Sequence, residues 1–316
     1  MRKLMLLSLL AGLALAQPTA RVGYVNVLPA ALPLVADAFG LYEEAGLEVE
    51  LTPFGDGPTM MQALIAGQLD AVYVGFAPAY LWAVRGAPIK ILSKAANFDL
   101  VVLARADSGI QTPQDLAGRR VGVLPKGSMP DVLFRGQVLK EAGLKTSDLT
   151  LIHTKAPNLV PGLATGQLEA AVMLEPWTTI ARLQLDLVEV YDINQAWPES
   201  TGPVLATTER VIAERPGLLR ALLQAHKKAA TLSETQADAV NRLLAQTYFP
   251  QGVQTPHGPV DGVTVIAQAR RRIRYGFGVS EAALRQMEAV AQMLKTLGYI
   301  PKVRPITEVV DLSLEP

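Results

Sequence analysis

The chain has 316 residues, half of them hydrophobic, with 29 basic and 29 acidic side chains and no cysteine. Balanced charge excludes the basic surface that nucleic-acid binding needs. The missing thiols exclude disulfide frameworks, thiol catalysis and cysteine metal sites. A chain of this length outgrows a single core and points to two lobes.

At the N-terminus, Arg2 and Lys3 precede an apolar run from Leu4 to Leu13, and Ala14-Leu15-Ala16 offers a signal-peptidase site before Gln17. The run is shorter than the roughly 18–20 residues that cross a bilayer. Residues 1–16 are therefore expected to be a cleaved signal peptide, leaving 27 basic against 29 acidic side chains in a periplasmic chain without membrane insertion. No cysteine follows to carry a lipid anchor.

The next segments alternate. Val22–Val25 reads as a strand, Ala30–Ala45 as a helix closed by Gly46, and Leu47–Phe54 as a strand of period two. Gly55-Asp56-Gly57-Pro58 is a turn, Thr59–Ala66 a short helix, Ala71–Val74 a buried strand and Pro78–Arg85 a helix. The pattern then recurs with strands at Val121–Leu124, Leu149–His153 and Ala170–Met173. Helices at Met129–Ala142, Leu159–Thr165 and Thr178–Leu183 alternate with them. Beyond residue 208 the chain reads as helices, at Val211–Glu214, Pro216–Ala230, Ala237–Gln246, Val263–Tyr275 and Ser280–Leu297, expected to pack on the first lobe.

The two halves repeat in sequence. Arg21-Val22-Gly23 recurs as Arg120-Val121-Gly122, and Glu44-Ala45-Gly46-Leu47 as Glu141-Ala142-Gly143-Leu144. Leu64–Ala71 recurs as Leu163–Ala170, all at offsets of 97 or 99 residues. That period is too long for a solenoid and suits two lobes of like construction. The expected fold is α/β, two-lobed, with parallel-rich sheets, two hinge crossings and a C-terminal helical extension on the first lobe. Crossings near Ala104–Ser108 and Glu199–Leu205 divide it into residues 17–105 with 203–316, and 106–202. Ligands in such sheets sit beyond the carboxyl ends of the strands. That rule selects Asn26–Ala30, Phe54–Thr59 and Gly75–Pro78 in one lobe, and Pro125–Pro130, Thr154–Asn158 and Leu174–Trp177 in the other.

The stretch Thr112-Pro113-Gln114-Asp115-Leu116-Ala117-Gly118-Arg119-Arg120-Val121-Gly122-Val123, followed by Pro125-Lys126-Gly127-Ser128, resembles the entry to the second lobe of type II periplasmic binding proteins. Tyr73–Pro78 and Leu174-Glu175-Pro176-Trp177 are similar to the third-strand loops of their nitrate, sulfonate and taurine group, which also contains binders of thiamine-pyrimidine precursors. Glu214–Leu222 resembles the group's first C-terminal helix. The resemblance implies a monomeric ABC-transporter binding protein that hands a small polar molecule to permease and ATPase subunits.

Each candidate site residue carries a plainer alternative. Lys126, Gly127 and Ser128 open a helix, where amides and a hydroxyl suit an anionic or polar oxygen, or an ordinary capped turn. Glu175 suits an amine or ring N–H of a ligand, or a solvated loop. Trp177 and Phe76 suit a sandwich around a flat or alkyl ligand, or core packing. Gly75 and Ala77 allow close backbone approach. Gly55, Thr59, Asn26 and Asn158 sit at turns and helix starts, and Asp56 is expected to face solvent. One cation, one anion and aromatic walls imply a zwitterionic or neutral nitrogenous ligand, an aminosulfonate or aminopyrimidine, rather than sulfate or phosphate. No metal or cofactor is expected, since His153, His226 and His257 lie at no metal-ligand spacing. No nucleophile elbow, phosphate loop or dinucleotide fingerprint is present. The rivals are an enzyme on the same scaffold, against which the export signal argues, and a sensory module.

Overall fold

A computed structural model describes residues 19–197 and 200–315. The expected signal peptide, residues 1–16, lies outside the described residues, as does Glu199 at the start of the expected second crossing.

The first lobe begins with β1 (Thr19–Val25), α1 (Leu32–Ala38), α2 (Leu41–Glu44), β2 (Glu48–Phe54), α3 (Gly57–Ile65), β3 (Ala71–Gly75), α4 (Phe76–Val84) and β4 (Ile89–Lys94). The second lobe holds β5 (Val101–Arg105), β6 (Arg120–Val123), α5 (Met129–Leu133), α6 (Leu139–Glu141), β7 (Thr150–His153), α7 (Leu159–Ala164), β8 (Ala170–Met173), α8 (Trp177–Gln184) and β9 (Leu187–Asp192). A short α9 (Ile193–Ala196) leads to β10 (Pro203–Thr208). The C-terminal region contributes α10 (Glu209–Glu214), α11 (Pro216–Thr235), α12 (Ala237–Tyr248), the hairpin β11 (Val253–Thr255) and β12 (Gly258–Val260), α13 (Gly262–Arg270) and α14 (Glu281–Thr296).

Two five-stranded sheets have matching orders, β2-β1-β3-β10-β4 and β7-β6-β8-β5-β9. In each, four strands run in one direction and one strand, β10 or β5, runs antiparallel to both its neighbours. The sequence repeat has a physical basis in this match. Asp70 accepts from the backbone N–H of Arg21 at 2.8 Å, and Glu169 accepts from that of Arg120 at 3.0 Å. Each acid also pairs with a neighbouring guanidinium. A Cβ built at Gly23 would lie 2.7 Å from Leu69 Cδ1, and one at Gly122 2.5 Å from Leu168 Cδ1. Both halves therefore use a glycine to let the same leucine lie across the first strand.

Four findings correct the sequence reading. The helix expected over Ala30–Ala45 is broken: Gly40 adopts φ +66°, the left-handed conformation a glycine reaches at little cost, and splits α1 from α2. Strands β4, β5, β9 and β10 add to those the sequence indicated. The first crossing falls between Lys94 and Val101 rather than at Ala104–Ser108, because Val101–Arg105 hydrogen-bonds to β8 and β9. The C-terminal helices do not stay on the first lobe. Helix α11 packs on α1 and α2, but α13 reaches α8, and α14 touches both α4 and α5.

The central parallel strands β3 and β8 are buried on both faces, as helices on either side demand, while the edge strands β2 and β7 stay partly exposed. Ala71–Val74 and Ala170–Met173 are wholly enclosed. Their carboxyl ends point into the gap between the lobes.

Candidate functional site

The strand tips of both sheets meet around one cavity. Val25, Val27, Pro29, Ala30, Asp56, Gly57, Gly75, Pro78 and Pro203 form its first-lobe wall. Leu124, Ser128, Met129, Pro130 and Leu174 form the second-lobe wall, and Phe98, in the first crossing, closes one side. The cavity is narrow, about 50 Å³ measured to water centres. A Cβ added at Gly75 would stand 2.9 Å from Met129 Cβ across the gap, so the lobes touch where the backbone is barest.

Local sequence explains the shape. Strand β3 passes directly into α4 with Gly75 at the N-cap, leaving no loop between them. Gly57 opens α3, with Asp56 as its N-cap accepting from Thr59 N–H at 2.8 Å. Ser128 stands at the N-cap of α5, where its hydroxyl makes no cap bond. That hydroxyl is buried, the residue being 5 % exposed, and has no hydrogen-bond partner among the described residues. A buried hydroxyl in this state is suited to a ligand oxygen or N–H, a bond worth about 0.5–1.5 kcal/mol. Three helix starts thus border a mostly aliphatic chamber whose wall side chains include two polar ones, Asp56 and Ser128.

The predicted residues divide. Gly75 and Ser128 line the cavity. Gly127 lies beside it, buried, at φ +82°, with its N–H bound to Asp131 Oδ2 at 2.9 Å. Asn26, Gly55, Thr59, Lys126 and Asn158 are exposed and off the wall. Thr59 is bound to Asp56. Asn158 donates to Thr154 Oγ1 at 3.1 Å, and Gly55 faces the Lys155 side chain of the opposite lobe.

The proposed aromatic sandwich is not formed. Because α4 starts at Phe76, that ring turns into the first-lobe core and stacks on Tyr80 at 5.3 Å, and Ala77 is equally enclosed. Trp177 opens α8 and lines a separate groove with Val160, Ile180 and Gly252. The anion expected from Glu175 is also absent from the wall. Its side chain is 1 % exposed and turns behind the cavity, accepting from Thr179 N–H at 3.0 Å and lying 4.0 Å from Arg272 Nε. Its backbone N–H donates to Asp99 Oδ2 at 2.7 Å, and its carbonyl accepts from Leu28 N–H at 3.0 Å. Asp56, in turn, lines the cavity instead of facing bulk solvent alone.

The sequence reading missed the cluster behind the cavity. Asp99 in the first crossing, Glu175 before α8, and Asp192 in β9 surround Arg272, which holds Asp192 through two bonds of 3.0 and 2.7 Å. Burial, reinforced by the neighbouring Glu175 charge, pushes the Asp99 carboxyl up to about 8. Burial raises Glu175 to about 7. Among the described residues no group of acids and histidines is arranged to hold a metal ion. No described helix is long and apolar enough to cross a membrane.

Residues 14–248 match the model of the NMT1-like family. The chain belongs to that family. A Brucella abortus (strain 2308) protein, whose name marks it as an inferred binding protein, is 30% identical over 213 residues, 66% of this chain. The match spans 65% of that relative's length. The taurine-binding periplasmic protein of Escherichia coli K12 is 23% identical over 83% of this chain and 81% of its own. Among solved structures, the alkanesulfonate-binding protein of Xanthomonas axonopodis pv. citri, bound to MOPS, superposes at a TM-score of 0.79. It is 20% identical and covers 94% of this chain and 99% of that one. A desulfurization enzyme shares the fold at a TM-score of 0.66, with 19% identity over 92% of this chain and 96% of that one. The NMT1-like chain thus has a two-lobed α/β fold like that of the solved periplasmic binding proteins it resembles.

Proposed function

We propose that this protein is the extracytoplasmic solute-binding component of an ABC importer. It would act as a single copy that delivers a small organic molecule to permease and ATPase subunits. The observation that carries the reading is the cavity walled by the strand tips of both repeated lobes. The curated and structural relatives named for taurine and alkanesulfonate binding support it. Residues 19–94 with 203–315 form one jaw and residues 101–192 the other, joined through the segments 95–100 and 193–202.

The wall favours a ligand with a compact polar head and an apolar remainder. The head belongs at the helix starts beside Ser128 and Gly75, where backbone N–H groups and helix dipoles favour partial negative charge. The remainder belongs against Val25, Val27, Phe98, Met129 and Leu174. Among the described residues no lysine or arginine lines the wall, which disfavours a bare inorganic dianion. An organosulfonate of the taurine or alkanesulfonate kind fits better than sulfate or phosphate.

A thermal-shift panel of taurine, ethanesulfonate, MOPS, nitrate, sulfate and phosphate tests the reading. A ligand at a hundredfold its dissociation constant adds about 2.7 kcal/mol, a rise of several degrees. The expected result is a rise with an organosulfonate. A rise with sulfate or phosphate alone overturns the ligand class, and a flat panel overturns the assignment to this group of importers.

A further inference from the structure

Behind the Gly127–Ser128 corner lies a partly buried polar cluster, centred on Asp131, between the second lobe and the C-terminal extension. Asp131, in the first turn of α5, is wholly enclosed. Its Oδ2 accepts from Gly127 N–H at 2.9 Å and from the Tyr299 hydroxyl. Its Oδ1 lies 3.3 Å from His153 Nε2. Arg135 donates to the Tyr299 hydroxyl at 2.9 Å, stands 3.6 Å from Asp131, and spreads its guanidinium over the Tyr299 ring at 5.5 Å.

Tyr299 lies in the C-terminal extension where that extension runs between the lobes, α14 before it packing on both α4 and α5. The segment after it is fastened to the first lobe. Tyr80 of α4 donates to Arg304 O at 2.5 Å and accepts from Arg304 N–H at 2.8 Å. Val310 bridges to Ile91 of β4, and Lys90 donates to Glu308 O at 2.7 Å. The Tyr299 hydroxyl thus reaches a second-lobe carboxylate from an extension that is anchored on the first lobe just beyond it.

We propose that Asp131 is a positioning residue for the ligand-facing Ser128 corner and that Tyr299 sets it when the lobes meet. A buried carboxylate demands donors, and losing one leaves an unmet acceptor that disturbs the others. With Tyr299 in place, Asp131 is fixed and holds Gly127 in its left-handed conformation. Ser128, next in the chain, lines the cavity with its hydroxyl unpartnered among the described residues. Once the lobes separate, Asp131 loses the phenol and the corner loosens. Lobe closure and the shape of the polar head site become one event, which slows ligand escape from the closed form. This inference rests on the solute-binding reading for its consequence, while the corner's dependence on Tyr299 is measurable without any ligand.

The test uses Tyr299→Phe, which removes only the hydroxyl, and Asp131→Asn, which keeps the shape. Amide hydrogen exchange is followed at Gly127 and, as internal controls, in β6 and β8. The expected result is about tenfold faster exchange at Gly127 in both variants with the strand amides unchanged. Exchange at Gly127 within twofold of the parent protein, or a rise spread evenly over the second lobe, overturns the proposal. In parallel, the dissociation constant for ethanesulfonate is measured. About a tenfold weakening in Tyr299→Phe is expected, expressed mainly as faster release. Unchanged affinity overturns the role in binding. Failure of the parent protein to bind ethanesulfonate counts against the importer reading, and the exchange result then decides the positioning claim alone.

Discussion

Gly75 shows how much one missing side chain contributes. Its φ of −57° is open to any residue, so backbone strain does not explain the glycine. Closeness does: the Cβ of an alanine would press on Met129 Cβ at 2.9 Å, and neither atom sits on a flexible chain end. The resulting prediction is specific. Gly75→Ala should keep the ligand-free unfolding free energy within about 1 kcal/mol of the parent, yet weaken ethanesulfonate binding about tenfold or more by wedging the jaws. Titration calorimetry alongside a thermal melt checks both halves of the claim, and equal loss of stability and affinity counts against it. Gly75 and Ser128 were legible from sequence because small residues at strand-to-helix junctions of a parallel sheet have few other uses. Phe76, Glu175 and Trp177 were misread for a common reason. Their positions along the chain were right, but a side chain's direction depends on where the helix begins. The absence of any loop before α4 turned Phe76 inward.

At the scale of elements, the repeat was the strongest signal, and its cause lies in strand–turn packing. The glycine of β6 faces Leu168 and Leu159, whose methyl groups would lie 2.5 and 2.8 Å from a new Cβ. Both are side-chain ends, so they yield at a cost. Gly122→Ala should destabilise by about 1–3 kcal/mol in urea unfolding, with an unchanged denaturant slope. A neutral substitution would show that the leucines are freely displaced. The strands β4, β5, β9 and β10 were less visible. β5 and β10 are short, enclosed apolar runs, which periodicity alone does not separate from helix. Their antiparallel pairing depends on partners far away in sequence. The missed cluster of Asp99, Asp192 and Arg272 has the same origin, since its members come from three segments brought together only by the fold.

At the scale of the molecule, that cluster ties the first crossing, the second lobe and the C-terminal extension into one electrostatic unit. Asp99 and Glu175, held up to about 8 and about 7, carry protons in the folded state that their unfolded counterparts release near pH 4. Folded chains therefore bind more protons between those values, and stability falls as pH rises through the folded values. His226 acts in the opposite sense. Burial lowers it to about 4, so its effect raises stability with pH until the unfolded imidazole loses its charge near pH 6.5. From pH 6.5 to pH 9 only the acids remain in play among these three. The loss expected there is on the order of 2 kcal/mol, a few degrees of melting temperature. Asp99→Asn should flatten the decline. A melting temperature that holds or rises across that interval contradicts the assignment.

The interleaved strands also impose an order of assembly. β5 fits between β8 and β9, so the second sheet has every strand once Asp192 has been made. The first sheet still has a slot between β3 and β4, to be filled by Pro203–Thr208. The half that is written first must be finished last. Until then β3 and β4 offer bare inner edges, which invite pairing with other chains. A nascent chain paused between those two points would hold one complete jaw and one open sheet in need of shelter.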